Sequence, residues 1–378
     1  MTAIPANPRP RIAFAHDWLV TPRGGEAVLD AIIAATSTRG DPTRLYTMFD
    51  QGLRIGAHAD SLPRVTSVLD SIPCSGRLRR WLLPAYALAV RDLSFKLAAQ
   101  HAAEPINLLI TSSSAAVLGV EPPPAVPHLC YMHAPARYIR SLGHEYSRGS
   151  RSIRIALDLF AEKLREADRD FARGVTEFLA NSHHTASMIN HAYGRASTVV
   201  YPPVRTDFFT PGDGTRDDFW LIAGALEPYK RVDLAIEAAR IAGRRLIIAG
   251  KGSCLNALRA ISHRDVTFIT DASDDMLRAL YRRARVLLHP QVEDFGIVAV
   301  EAQACGLPVA ALARGGALET VDNDITGRHF FEQSADQLAD AAERAPMPDD
   351  PRIRAGAMRF EPRRFAKRFA EIISRYFI

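Results

Sequence analysis

Short apolar runs alternate along this chain with longer stretches in which apolar residues recur every three or four positions. Arg11-Ile-Ala-Phe-Ala-His16 opens the series, Thr21-Pro-Arg-Gly-Gly25 reads as a turn, and Glu26 to Ala35 keeps the spacing of a helix. A strand, a glycine loop and a helix in that order begin a doubly wound α/β unit. Further strands are predicted at Leu108–Thr111, Leu129–Met132, Phe178–Ala180 and Thr198–Tyr201, with helical stretches between most of them. Strands separated by helices imply a mainly parallel sheet.

The breaker-rich segment Phe209-Thr-Pro-Gly-Asp-Gly-Thr-Arg216 has the composition of a linker, and beyond it the pattern restarts. Trp220–Gly224, Arg245–Gly250, Val266–Ile269, Val286–His289 and Pro308–Leu312 are strand-like and separated by helix-like sequence. The expected organisation is an α/β domain over 1–212, a second over 213–357, and a helix over 358–378 carrying apolar Phe365, Phe369, Ile372, Ile373 and Tyr376. A length of 378 residues, about twice a usual single core, agrees with two domains.

Composition narrows the class. At 47% hydrophobic and 24% charged, without a run of 18 apolar residues, the chain reads as globular rather than disordered or membrane-spanning. The first ten residues hold three prolines and no apolar core of a secretory signal, so the expected location is the cytoplasm. Cys74, Cys130, Cys254 and Cys305 are too scattered for a zinc site or a disulfide framework. The net charge of +5 is compatible with nucleic acid, an anionic membrane or a phosphorylated substrate.

The chemistry concentrates in His289-Pro-Gln-Val-Glu293-Asp-Phe-Gly296-Ile-Val-Ala-Val-Glu301-Ala-Gln-Ala-Cys-Gly306-Leu-Pro308. A strand ends at His289, a turn carries Glu293, and a helix is predicted from about Phe295 to Cys305, stopped by Gly306 and Pro308. Glu293 then stands ahead of the helix N-terminus and Glu301 in its second turn, while the amides of Gly296, Ile297 and Val298 point outward, where the helix dipole favours a phosphate. A phosphate cradle beside two hydroxyl-binding carboxylates suits a nucleotide sugar. In isolation the same carboxylates could simply favour the helix terminus and face water.

Glu293 and Glu301 also form the E-x7-E pattern of retaining glycosyltransferases of family 4, and the stretch from Glu293 to Pro308 closely resembles that family's core. The resemblance extends to His16-Asp-Trp-Leu19 with Gly24-Gly25, Tyr131-Met-His-Ala-Pro-Ala-Arg-Tyr138, Ala180-Asn-Ser182, Tyr201-Pro-Pro-Val204, Pro228-Tyr-Lys-Arg231, Gly250-Lys-Gly252 and Gly315-Gly-Ala-Leu-Glu319. Within the family the chain resembles the bacterial O-antigen and capsule mannosyltransferase type.

The resemblance implies a GT-B fold, two Rossmann-like domains facing across a cleft, with the acceptor held mainly by the first, the nucleotide sugar by the second, and the terminal helix crossing back to the first. It implies that Glu293 contacts donor-sugar hydroxyls, Glu301 the ribose, and the backbone around Phe295, Gly296, Ile297 and Val298 the sugar and diphosphate. Lys230 matches the cation that neutralises the leaving diphosphate, on whose oxygen negative charge develops. His133 takes the place of the active-site histidine, and Gly24 and Gly25 would bring amides toward the phosphates. One departure stands out: where many members carry an arginine soon after the glycine matching Gly224, this chain has Ala225 and Leu226, which leaves Arg231 as a stand-in or a surface charge.

The implied reaction retains anomeric configuration, with the leaving phosphate helping to take the acceptor proton. It needs no protein nucleophile, and no metal or cofactor is expected. GDP-mannose is the favoured donor, with UDP-sugars open. The expected acceptor is a polyprenyl-diphosphate-linked saccharide of bacterial surface polysaccharide synthesis. From Gly76 to Gln100, Arg77, Arg79, Arg80, Arg91 and Lys96 stand against the single acid Asp92, with Trp81 interleaved, the pattern of a basic amphipathic segment on an anionic leaflet or of a solvated basic helix face. A dinucleotide-dependent oxidoreductase is the competing class, but no G-x-G-x-x-G follows a strand. Nucleic acid is not expected, because acids are interspersed among the bases and no zinc-finger or RNP-type motif occurs.

Overall fold

The structure, a computed structural model, describes residues 9–20, 24–79, 81–136 and 151–377, with backbone alone for 151–161. Thr21 to Arg23, Arg80, Arg137 and Tyr138, all drawn on in the motifs above, lie outside the described residues. Two compact units are present, one of residues 1–201 with 365–378 and the other of 202–364. Each is a Rossmann-like α/β unit around one parallel sheet.

In the first unit the strands are β1 (Arg11–Leu19), β2 (Asp41–Asp50), β3 (Arg64–Thr66), β4 (Leu108–Ser113), β5 (His128–Met132), β6 (Glu177–Ala180) and β7 (Ser197–Val199), in the spatial order β3-β2-β1-β4-β5-β6-β7. The order reverses between β1 and β4, the place where doubly wound sheets open a ligand crevice at the strands' carboxyl ends. The second sheet holds β8 (Phe219–Ala223), β9 (Arg245–Ala249), β10 (Val266–Ile269), β11 (Val286–His289), β12 (Val309–Leu312) and β13 (Gly327–Phe330), in the order β10-β9-β8-β11-β12-β13. Its reversal lies between β8 and β11, so the loops after those two strands meet there.

The observed unit boundaries fall at Tyr201/Pro202 and Arg364/Phe365, not at 212/213 and 357/358. The reason lies in what the expected linker does. Val204 N–H donates to the Phe360 carbonyl at 2.9 Å, Phe209 is fully buried against Tyr281, and Arg282 donates to the Thr210 carbonyl at 2.7 Å. Those breakers shape a loop pinned to the second unit rather than a free tether. Phe360 likewise stays with the second unit, its ring edge-on to Phe295 at 5.1 Å.

The helix Pro362–Ile373 closes the first unit. Phe365, Phe369, Ile372 and Ile373 are buried among Ile12, Phe14, Leu129 and Tyr131. Tyr131 packs on both phenylalanines, with centroids 6.2 and 6.5 Å away, and its hydroxyl donates to the Val200 carbonyl.

Candidate functional site

At the reversal point of the second sheet, β8 ends and the chain turns through Gly224 into the short 3-10 helix Pro228–Lys230. Two close backbone approaches fix this turn. A Cβ on Gly250 would lie 1.8 Å from the Gly224 carbonyl oxygen, and one on Gly252 would lie 2.4 Å from the Leu226 oxygen. Only glycine permits those contacts. Lys230 is thereby aimed at the loop after β11, where its ammonium pairs with the Glu293 carboxylate; the two side chains are 13% and 15% exposed. The Tyr229 ring lies 5.3 Å from the ammonium.

The loop carrying Glu293 is held as firmly. Glu293 bridges to Gly315, its carbonyl accepts from Gly316 N–H at 2.8 Å, and a Cβ on Gly316 would collide with the Phe295 backbone at 2.4 Å. Phe295 is buried, and Gly296 takes φ +94° as the residue before the helix Ile297–Ala304, slightly shorter than expected. The first amides of that helix, Ile297 and Val298, belong to its open N-terminus.

Gln291 ties this loop to the strand. Its amide nitrogen lies 3.0 Å from His289 Nδ1 and 3.3 Å from the Glu293 carboxylate, and the carboxylate requires the amide's NH₂ end to face it. His289 Nδ1 is then an acceptor, and the proton of the neutral ring sits on Nε2, which has no hydrogen-bond partner among the described residues. Burial, with Lys230 adding to it, pushes the His289 pKa down to about 3, so the ring stays neutral. A Cβ on Gly296 would stand 3.5 Å from that Nε2.

Glu301 accepts a long hydrogen bond, 3.4 Å, from the buried Tyr281 hydroxyl. Burial raises its pKa to about 7, only partly opposed by Arg205, whose guanidinium is itself bound to Asp274 at 2.8 Å. Arg231 does not join this group. It adopts φ +50° and directs its guanidinium to Asp233, at 3.1 to 3.3 Å, and to Gln333 at 3.0 Å. A phosphate would have to displace those partners.

In the first unit, His133 follows β5. Its Nε2 lies 2.8 Å from Ser112 Oγ at the end of β4, and its carbonyl accepts from Asn181 at 3.0 Å. His16 Nδ1 contacts the same serine, through its carbonyl at 3.0 Å and its hydroxyl at 3.2 Å. His16 Nε2 is 4.0 Å from the Glu26 carboxylate, and a Cβ on Gly25 would stand 3.6 Å from the His133 ring. Burial lowers the His133 pKa to about 3, reinforced by His16, so this ring too is neutral. Burial alone would raise Glu26, but its hydrogen bond and charge interaction with His16 bring it below the usual carboxylate range.

Asp17 supports this edge from beneath: its two oxygens accept from the amides of Ser114, Ala115, Ala116 and Val117 at 2.6 to 3.0 Å. The loop after β4 is thus clamped to β1 across the reversal point. Among the described residues no cluster of His, Cys, Asp and Glu is placed to hold a metal ion.

The structure therefore brings Lys230 and Glu293 together, places Phe295 to Val298 directly after Glu293 with Glu301 in the helix that follows, and sets Gly25 beside His133. Gln291, His289, Tyr281, Ser112, Glu26 and Asp17 take part without having been assigned roles in the sequence reading. His16 and Asp17 belong to the segment His16-Asp-Trp-Leu19, and two polar residues at the end of an apolar strand run are a usable signal of such a role.

Residues 204–347 match the family described as glycosyl transferases group 1. The D-inositol 3-phosphate glycosyltransferase of Mycobacterium avium is 36% identical over 186 residues, 42% of this chain and 44% of the relative. That of Mycobacterium tuberculosis is 38% identical over 168 residues, 38% of this chain and 35% of the relative. The chain thus spans less than half the length of these curated relatives. Among solved structures, Anabaena HepE in complex with UDP-glucose aligns over 96% of this chain and 99% of its own, with a TM-score of 0.68 at 20% identity. Sucrose-phosphate synthase from Thermosynechococcus elongatus aligns over 98% and 99%, with a TM-score of 0.72 at 19% identity. Residues 204–347 carry the sequence of the glycosyl transferases group 1, and the chain as a whole has the two-sheet fold of the GT-B glycosyltransferases.

Proposed function

We propose that the protein is a retaining glycosyltransferase that moves a hexose from a nucleotide sugar, with GDP-mannose as the favoured donor, to a lipid-linked saccharide acceptor. The observation that carries this reading is the buried Lys230–Glu293 pair at the reversal point of the second sheet, inside the segment that matches the family. A cation and a carboxylate side by side ahead of a helix N-terminus suit the two ends of a sugar diphosphate. Lys230 would pass from Glu293 to the β-phosphate oxygen, where charge builds as the glycosidic bond to the sugar breaks. Glu293 would then accept from sugar hydroxyls, and Glu301 from the ribose. Neutral His133 would hydrogen-bond near the transferred sugar, and the leaving phosphate would take the acceptor proton.

The preference for GDP-mannose rests on the resemblance carried by His16-Asp-Trp-Leu19 and Pro228-Tyr-Lys-Arg231. A UDP-sugar is the second reading, favoured by the likeness to HepE in complex with UDP-glucose. A peripheral position on an anionic membrane is supported by the surface over residues 77–95: Trp81, Leu88 and Phe95 are 56%, 57% and 75% exposed, beside exposed Arg77 and Arg91. The helix Tyr86–Ala103 is apolar on both faces rather than amphipathic in the usual sense, since Ala89, Val90, Leu93 and Leu97 are buried on its other side. No helix among the described residues is long and apolar enough to cross a membrane.

The decisive experiment measures GDP or UDP release from a panel of nucleotide sugars, with and without a lipid-linked saccharide and with inositol phosphate as an alternative acceptor. Acceptor-stimulated release of GDP from GDP-mannose is expected. Release from no nucleotide sugar under any condition would overturn the reading.

A further inference from the structure

A cavity of about 230 Å³ lies in the first unit, bounded by Leu83, Pro84, Tyr86 and Ala87 on one side and by Leu164, Ala167 and Phe171 on the other, with Ala115 and Ala116 forming its floor. Its walls are mostly apolar. Their buried charge, Asp168, is engaged by the Tyr193 hydroxyl at 3.1 and 3.2 Å, and Lys163 stands exposed. Apolar cavities of ~150 Å³ stay dry and take up a small hydrocarbon, so this one has room for somewhat more.

Two features of its position point to the occupant. The floor belongs to the Asp17-clamped loop and starts three residues beyond the Ser112 that holds His133, so the cavity is built on the same β4 loop as the first unit's polar cluster. The wall from Leu83 to Ala87 continues directly into exposed Trp81 on one side and exposed Leu88 on the other, with Arg77 and Arg91 flanking them. An apolar hole lined by an exposed lysine, with one wall running on in sequence into exposed apolar and basic residues, complements a molecule that has a hydrocarbon chain next to an anionic head.

We propose that this cavity is a binding site for the hydrocarbon segment next to the phosphate of a membrane-derived acceptor. It rests on the reading of the chain as a transferase with a lipid-linked acceptor, and adds the place where the chain-bearing end is held. Exposed Lys163, which lines the cavity, would meet the phosphate, and the alanines at 87, 115, 116 and 167 leave the room.

The test is titration of the full chain with decyl phosphate below its micelle concentration, with inorganic phosphate as the control and nucleotide-sugar binding measured in the same preparation. Saturable binding of decyl phosphate, not competed by inorganic phosphate, is expected. Ala87→Phe and Ala167→Phe, each at a partly exposed helical position, should each weaken it about tenfold, as if two methylenes were returned to water, while donor binding is kept. Equal affinity in the filled variants, or binding of inorganic phosphate as tight as that of decyl phosphate, would overturn the proposal. Should both variants fail to fold, hydrogen exchange on the unsubstituted protein decides: protection of amides in 83–87 and 164–171 by decyl phosphate supports the site, and its absence removes it. A protein that binds nucleotide sugar but not decyl phosphate loses this proposal alone. One that binds decyl phosphate but no nucleotide sugar keeps the cavity assignment and loses the transferase reading.

Discussion

Lys230 and Glu293 form an ion pair, and both are largely withdrawn from water. Removing either breaks a largely buried pair, at a cost of about 3–5 kcal/mol, whereas removing both need not destabilise. Lys230→Ala should therefore lower the unfolding midpoint of the second unit and reduce transfer by about 10²- to 10³-fold. The double variant Lys230→Met/Glu293→Leu should recover the midpoint and none of the activity. A double variant as unstable as the single ones, measured by calorimetry, would show that the pair is not the source of the loss.

Glu301 sets a pH dependence with opposite signs for stability and for binding. Its folded pKa is raised to about 7 from 4.5, so between those values the folded chain keeps a proton that the unfolded chain has released. Its contribution to stability is present below the lower value and is lost as pH rises through 7. A ribose hydroxyl that donates to the carboxylate gains over the same range. Donor affinity should rise about tenfold between pH 6 and 8, and Glu301→Gln should flatten that rise. An unchanged slope in the variant would move the titration to another group.

At the level of elements, β8 to β12 of the second sheet were legible because each is a short apolar run bounded by glycine or a polar turn. β2, β3 and β13 were not. β3 and β13 are outer strands of three and four residues, and polar, short edges are how sheets avoid further pairing, so Arg64-Val-Thr66 and Gly327-Arg-His-Phe330 carry little apolar signal. β2 begins Asp41-Pro-Thr-Arg, which reads as a turn, and only its Leu45–Phe49 portion is buried. The site was legible where one segment carries it, as from Glu293 to Glu301. It was not legible where distant segments meet, as when Ser112 joins His16 to His133. Asp17 is such a case: it joins β1 to a loop about a hundred residues away through four backbone amides. Asp17→Ala should cost the first unit about 3–5 kcal/mol, since each amide loses a charged acceptor. Asp17→Asn, which keeps one oxygen, should cost less. Urea unfolding followed on the first unit gives both values, and equal midpoints for the two variants would count against the clamp.

On the scale of the whole molecule, the units differ in how they are completed. The second is continuous in sequence, 202–364, whereas the first needs residues 365–377 to finish its core. Phe365, Phe369, Ile372 and Ile373 are at most 4% exposed. At about 1.5–3 kcal/mol each, their burial is comparable with the whole stability of an ordinary domain. Removing residues from 365 onward should leave the first unit open to limited proteolysis while the second resists, and survival of both would show that the helix is dispensable.

The same feature bears on synthesis at the ribosome. Domains usually fold in the order in which they emerge. Here the whole of 202–364 leaves the exit tunnel before the piece that seals the first sheet, so the unit translated first is the one finished last. Until then, the apolar face around Ile12, Phe14 and Tyr131 must wait uncovered for its last helix. That interval is when a chaperone would have most to protect.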